Sequence, residues 1–250
     1  MRPEICVHVE PGVSKSWNKF RQESPPHSIA LDGYVDGPPS FDPIGPYANF
    51  DHHFGVNRLA TRSTAGQVLV AISLGLFDTF QVDNRPVANV FVNDCDQDVC
   101  LSYWLLSNAD LVSGFRIEMD IARLFIAEDF LDATAGAYPV DVQQPFMRKL
   151  VWVFDVYTRA RDSGLLNCMT PKEMTSLIEQ TADRISSLSQ GRAGEAEVDS
   201  NYEVIGGGAQ WKMIRERGPF ARTRLFAEGV RAFVAVRDKA DGGYAYTVGR

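Results

Sequence analysis

The stretch Val87–Val92, followed by an aspartate-rich turn and then by the apolar segment Leu101–Leu106, constrains the fold more than any other part of the chain. A short, nearly continuous run of Val, Ala and Phe is too brief for a buried helix and reads as a strand covered on both faces, the kind found in parallel sheets. Leu101–Leu106 then reads as the helix that follows it. Asp94, Asp96 and Asp98 fall in the turn between them, at the carboxyl end of the strand, where open α/β sheets place their ligands. Three carboxylates this close repel one another unless a cation or a basic group neutralises them, or unless they cap a helix. Both readings stay open at this stage.

The remaining pattern supports an α/β chain. Ile5–Val9 and Ile29–Val35 read as further strands, with a helix between them over Gly12–Gln22 that Ser24-Pro25-Pro26 ends. Asp36–Tyr47 is rich in Pro and Gly and reads as a structured loop that continues to Asn49-Phe50. Thr64-Ala65-Gly66-Gln67 has the form of a capping box opening the apolar helix Val68–Phe77, whose free amides would suit a phosphate. Helices are expected over Ile117–Phe130 and Val142–Ala160. Thr170-Pro171-Lys172-Glu173 is a second capping box, opening a helix with Met174, Leu177, Ile178, Ile185 and Leu188 on one face. Ser189–Ser200 is polar and reads as a linker. Beyond it come a strand over Tyr202–Ile205, the run Gly206-Gly207-Gly208, short helices near Trp211–Arg215 and Arg222–Glu228, and a hairpin over Val230–Val248 turning at Asp241-Gly242-Gly243.

The 250 residues carry a net charge of −7, distributed unevenly. From Gly206 onward nine basic residues face four acidic ones, so an acidic body precedes a basic end piece. No apolar run is long enough to span a bilayer and no signal-peptide pattern opens the chain, so the expectation is a cytoplasmic protein with no membrane partner. Cys6, Cys95, Cys100 and Cys168 show no metal or disulfide spacing and are expected to be reduced thiols.

Asp51-His52-His53 joins two of the four histidines to a carboxylate, with Asp32, Asp36 and Asp42 upstream and the Asp94–Asp98 turn downstream. Imidazole mixed with several carboxylates suits hard divalent cations such as Mn²⁺ or Mg²⁺. The alternative is a pair of surface or hydrogen-bonded histidines in a loop. Asp129 and Asp132 are candidates for a further ligand or for solvated carboxylates at a helix end. Arg58, Arg62, Arg222, Arg224 and Arg250 are candidate phosphate clamps. Gly206-Gly207-Gly208 is either an amide nest for a phosphate or a tight turn.

Four segments carry a resemblance: Val35-Asp36-Gly37, Phe41-Asp42-Pro43, Asn49-Phe50-Asp51-His52-His53 and Ser63-Thr64-Ala65-Gly66. Together they resemble the DHH phosphoesterase superfamily, and within it the DHH-like metal-dependent hydrolases of the melanocyte-proliferating-gene group. The resemblance implies two Mn²⁺ ions bridged by Asp36, with His52 on one of them, His53 against the scissile phosphate beside Asp51, and Asp132 as a late ligand. The triple glycine resembles the phosphate-binding motif of the accessory domain of such enzymes, with Ala209 where a His is usual. The first strand carries Gly12 and Ser14 where the family has its first two carboxylates, while Asp94, Asp96 and Asp98 come after the Asp-His-His.

The expectation is therefore an α/β fold, with a parallel-sheet DHH-like domain and flanking helices over residues 1–165. A helical connector and linker would follow over 166–198, and a small α+β substrate-binding domain over 199–250. Asp36, His52, Asp94, Asp96, Asp98 and Asp132 would hold two Mn²⁺ or Mg²⁺ ions. His53 and Asp51 would be catalytic, and Arg58, Arg62, Gly206, Gly207, Gly208, Arg222 and Arg224 would bind the substrate, a nucleotide or short oligonucleotide. A homodimer is compatible with this reading. Because Gly12 and Ser14 lack carboxylates, the rival expectation is a catalytically degenerate relative that binds a nucleotide or a protein through the same cleft.

Overall fold

The computed structural model of the protein describes residues 1–113, 117–239 and 242–249. In chain order the elements of the larger unit are β1 (Glu4–Val9), α1 (Trp17–Glu23), β2 (Ser28–Leu31), β3 (Ser40–Asp42), β4 (Tyr47–Phe50), α2 (Thr64–Ser73), α3 (Leu76–Thr79), β5 (Gln81–Val82), β6 (Arg85–Val92), α4 (Gln97–Ser107), α5 (Ala109–Val112), α6 (Met119–Ala133), α7 (Pro145–Asp162) and α8 (Pro171–Ser189). The smaller unit holds β7 (Tyr202–Gly207), β8 (Trp211–Glu216), α9 (Ala221–Ala227), β9 (Ala232–Asp238) and β10 (Tyr244–Gly249). Among the described residues no helix is long and apolar enough to cross a membrane, and all four cysteines are free thiols.

The first sheet has the order β1-β6-β2-β4-β3, with the short β5 paired to β6. Strands β1, β6, β2 and β4 are mutually parallel, and β3 runs antiparallel at the edge opposite β1. The carboxyl ends of β6, β2 and β4 therefore lie side by side. Asp94–Asp98, Asp32 and Asp51-His52-His53 leave the sheet at those ends, as the strand-end rule for α/β sheets requires. Ile29, Leu31, Val90 and Val92 pack with Val68, Leu101, Trp104, Leu105 and Leu177 in one extended core.

Several expectations need correction. The strand beginning near Ile29 stops at Leu31 rather than Val35, because Asp32 (φ 49°) and Gly33 (φ 83°) turn the chain in left-handed geometry. Tyr47–Phe50 is a buried parallel strand, not the end of a loop; four residues after a proline are too few to show a period. Trp211–Glu216 is a strand rather than a helix. It pairs antiparallel with β7 and parallel with β9, with only Ile214 fully buried, and a six-residue segment has little helical stability of its own. The three glycines thus join two strands and not a strand and a helix. Asp241 and Arg250 lie outside the described residues.

The connector assigned to 166–198 is also revised. The Thr170 capping box forms with Pro171 at the first helical position, and Met174, Leu177, Ile178, Ile185 and Leu188 are buried as their spacing predicts. They are buried in the main core, against α4 and α7, so α8 belongs to the larger unit. A chain segment of irregular structure after α8 leads to the small sheet, ordered β10-β9-β8-β7 with α9 on one face. Replacing Ile178 with Ala should lower stability by about 2–5 kcal/mol in urea unfolding. A loss below about 0.5 kcal/mol, the range of surface substitutions, would return α8 to the role of a spacer.

Candidate functional site

The site begins with how the chain opens α2. The N-cap is Ser63, whose Oγ accepts the Gly66 N–H at 3.1 Å, one residue before the expected Thr64. The shift frees Thr64 Oγ1 to donate to Asp32 Oδ1 at 2.8 Å. Gln67, expected to close a capping box, instead donates to the carbonyls of Asp51 and Arg62. Both oxygens of Asp98 accept amides of the first turn, Thr64 N–H at 2.6 Å and Ala65 N–H at 2.8 Å. The phosphate site expected at this helix start is therefore filled by the protein's own carboxylate, which the helix dipole favours.

Behind this turn, Asp129 accepts the Ser63 backbone N–H and hydroxyl on one oxygen and Arg62 at 2.7 Å on the other. The Arg62 guanidinium also lies 5.3 Å above the Phe125 ring. Arg62 is thus a structural tie and not a free phosphate clamp. Gly66 has its own reason to be glycine, since a Cβ there would collide with the Asp129 carboxylate and the Arg62 side chain.

In front of α2 the ionisable groups converge. His52 is 1% exposed, and its Nε2 lies 3.0 Å from Asp132 Oδ2, 3.5 Å from Asp32 Oδ1 and 3.9 Å from Asp98 Oδ2. His53 Nδ1 lies 3.1 Å from Asp51 Oδ1 and 3.4 Å from Asp32 Oδ1, with 40% of its side chain exposed. Two overlapping donor sets result, Asp32-His52-His53 and His52-Asp98-Asp132, each with its atoms within 4.8 Å of one another. A single ring nitrogen serves one cation, so the two sets are joined through His52 rather than independent. Neither ring nitrogen of His52, nor Asp132 Oδ2, has a partner with hydrogen-bond geometry, although all three are buried. Nε2 and Asp132 Oδ2 nonetheless lie within ion-pair distance of each other, as Nε2 does of Asp32, and a divalent cation would fit this mixed imidazole and carboxylate set.

The expected ligands divide accordingly. His52, Asp98 and Asp132 meet as expected. Asp36 does not: it is exposed on the loop after the turn, and its place is taken by Asp32 at the end of β2. The strand-end rule applied to Asp94–Asp98 would have singled out Asp32, had the strand been ended at Leu31. Asp96 is the N-cap of α4, accepting Val99 N–H at 2.9 Å, and Asp94 folds back on the Cys95 amide. Asp42 pairs with Arg21 in β3, away from the cluster. Asp51 is fully buried behind His53 and also accepts the Phe54 N–H.

The expected substrate residues scatter. Arg58 sits in an exposed turn and has no ion pair among the described residues. Arg222 bonds the Ala135 carbonyl just after α6 and pairs with Glu216 at 2.7 Å, at the junction of the two units. Arg224 pairs with Glu228 at 2.9 Å and covers the Tyr202 ring. Gly206, Gly207 and Gly208 form the β7–β8 turn, with Gly208 N–H on the Trp211 carbonyl. A residue overlooked in the sequence is Glu128, 3% exposed on α6 one turn before Asp132 and lining the same cavity as Asp96, Asp98 and Asp132. Its spacing of four from Asp132 was the available signal.

Proton affinities follow from this crowding. Burial alone would lower the His52 pKa, but the Asp132 and Asp32 carboxylates override it and raise it from 6.5 to about 10. Asp32, together with Asp51, raises His53 to about 9. Asp32 moves the other way: burial opposes ionisation, yet the two imidazoles hold its carboxyl below the usual range. Burial, and then the neighbouring carboxylates, push Asp96, Asp98 and Glu128 well up.

No family model, curated protein or solved structure matches this chain, so what the site binds has to be read from its chemistry. In the cation-free protein the raised histidines add stability that is complete below pH 6.5 and is lost as pH rises through about 9 to 10. The raised carboxyls act with the same sign, favouring the fold while protonated. A bound cation requires neutral imidazole and ionised carboxylates, so its binding releases protons and tightens with pH. The melting temperature with Mn²⁺ should exceed that with a chelator by a margin that widens from pH 6 to pH 8.5. Near saturation it should reach on the order of 5–10 °C. A margin independent of pH, or none, would contradict the assignment.

Proposed function

We propose that this protein is a divalent-cation-dependent phosphoesterase of the DHH-like type, acting on a nucleotide or short oligonucleotide. The observation that carries the reading is His52, buried with Nε2 3.0 Å from Asp132 and 3.5 Å from Asp32, so that one imidazole meets carboxylates from the ends of β2 and α6 and the first turn of α4. His52 with Asp32, or His52 with Asp98 and Asp132, would hold Mn²⁺. Bound there, it would supply a Lewis acid for a phosphoryl oxygen and a water of lowered pKa.

The chain's own residues do the rest. Thr64 Oγ1 fixes Asp32, and the two α2 amides fix Asp98, so the ligands are oriented before anything binds. Asp51 and Asp32 engage His53 at Nδ1, which leaves Nε2 to meet a phosphate oxygen or to donate a proton to the departing alcohol. A cavity of about 200 Å³ that shares Asp98 and Asp132 with the cluster is lined also by Asp96, Glu128, Arg161 and Arg222. A larger groove of about 880 Å³ shares those two arginines and adds Arg217, Arg237 and Lys239, with Asp162, Glu216 and Asp238 among them. Basic groups outnumber acidic ones in it, with Arg161, Arg217 and Arg222 paired to acids of the groove and Arg237 and Lys239 added to them, an excess that favours an anionic substrate.

The capping role of Asp96 and the bond of Asp94 to the Cys95 amide, with Gly12 and Ser14 upstream, favour the second reading of a binding module without turnover. One assay separates the two: hydrolysis of bis-p-nitrophenyl phosphate and of short oligonucleotides with Mn²⁺. Asp32→Ala and His52→Ala should each lose activity by at least about 10²-fold, while Asp36→Ala should leave it unchanged. Wild-type protein that binds Mn²⁺ stoichiometrically but hydrolyses no faster than His52→Ala would decide for the binding module.

A further inference from the structure

Strand β10 lies at the edge of the small sheet, paired on one side with β9 and on the other with nothing among the described residues. Exposed sheet edges are templates for another strand, and proteins ordinarily guard them with charges, bulges, proline or brevity. The other edges here are guarded. Strand β3 has three residues, β1 opens with the exposed Glu4, and β7 is bulged between Val204 and Gly206 and ends in glycine. Strand β10 reads Tyr-Ala-Tyr-Thr-Val-Gly, six regularly paired residues with no charge, proline or bulge. Tyr244, Tyr246 and Val248 are 52%, 62% and 78% exposed, in one row on the face away from α9.

We propose that β10 pairs with β10 of a second copy of this chain, antiparallel about a twofold axis through Tyr246, joining two four-stranded sheets into one of eight. Identical strands related by a twofold axis are necessarily antiparallel, which makes the edge complementary to itself. Without charges over Tyr244–Gly249, like meets like without repulsion. Tyr246 then faces its own counterpart, and Tyr244 faces the partner's Val248, cross-strand pairs of the aromatic and β-branched kind that stabilise sheets. The pairing consumes the edge, so assembly stops at two.

The test is sedimentation velocity from about 1 to about 100 µM, on wild type and on Tyr246→Lys/Val248→Lys. A dimer is expected for wild type, and its dissociation constant should rise at least about tenfold in the double variant, with the melting temperature kept. As a second arm, Tyr246→Cys in a background with Cys6→Ser and Cys168→Ser should oxidise to a disulfide-linked dimer, because facing residues of such a pair bring their Cα atoms within disulfide reach. Trp211→Cys in that background should not. A wild type that stays monomeric up to about 100 µM, or a dimer that neither lysine weakens nor Tyr246→Cys links, would overturn the proposal.

Discussion

The carboxylate of Asp98 is the joint on which the site depends. It stands in the first turn of the helix after β6, yet both its oxygens are bonded to amides that open α2, the helix after β4. One residue therefore clamps two crossover helices at the edge of the sheet where β2, β4 and β6 end. It also faces His52 at 3.9 Å from a position that is almost wholly buried. A buried carboxylate bonded to two amides is held in place, but its charge is answered only in part. Asp32 and Asp132 add to the same deficit, which the two imidazoles offset in the protein by itself.

Around that joint the ligands are held by groups that do not themselves face the centre. Thr64 positions Asp32, Asp51 positions His53, and Asp129 with Arg62 positions the Ser63 cap that lets Thr64 turn inward. Such support is what the proposed metal site would need for its geometry to be set in advance. It also explains why Arg62 and Asp129, which look like functional groups in the sequence, are absorbed by structure.

Much of this was legible before the fold. The Asp-His-His triplet, Asp98, Asp132 and the aspartate turn after a buried strand could be read because strand ends and ligand chemistry are local. The Thr170 capping box appeared residue for residue, since its signal lies within four positions. What failed was whatever depended on distant partners or weak periods. The resemblance points to Asp36 rather than Asp32, because a left-handed aspartate ending a strand leaves no mark in the sequence. Arg62 could not be matched with a partner 67 residues away. Helix α8 shows the same apolar stripe whether it serves as a connector or as a core helix, and only the sheet decides which. In Trp211–Glu216 neither period dominates, and pairing with β7 and β9 settled the matter.

The central proposal is that the carboxylates meeting at His52 receive a divalent cation there. The most direct measurement is an anomalous-difference map at the manganese edge from crystals grown with Mn²⁺. A peak within coordination distance of His52 Nε2 and of Asp32, or of Asp98 and Asp132, is the expected result. A map with no peak there, in crystals where His52 keeps its place between Asp32 and Asp132, would contradict it.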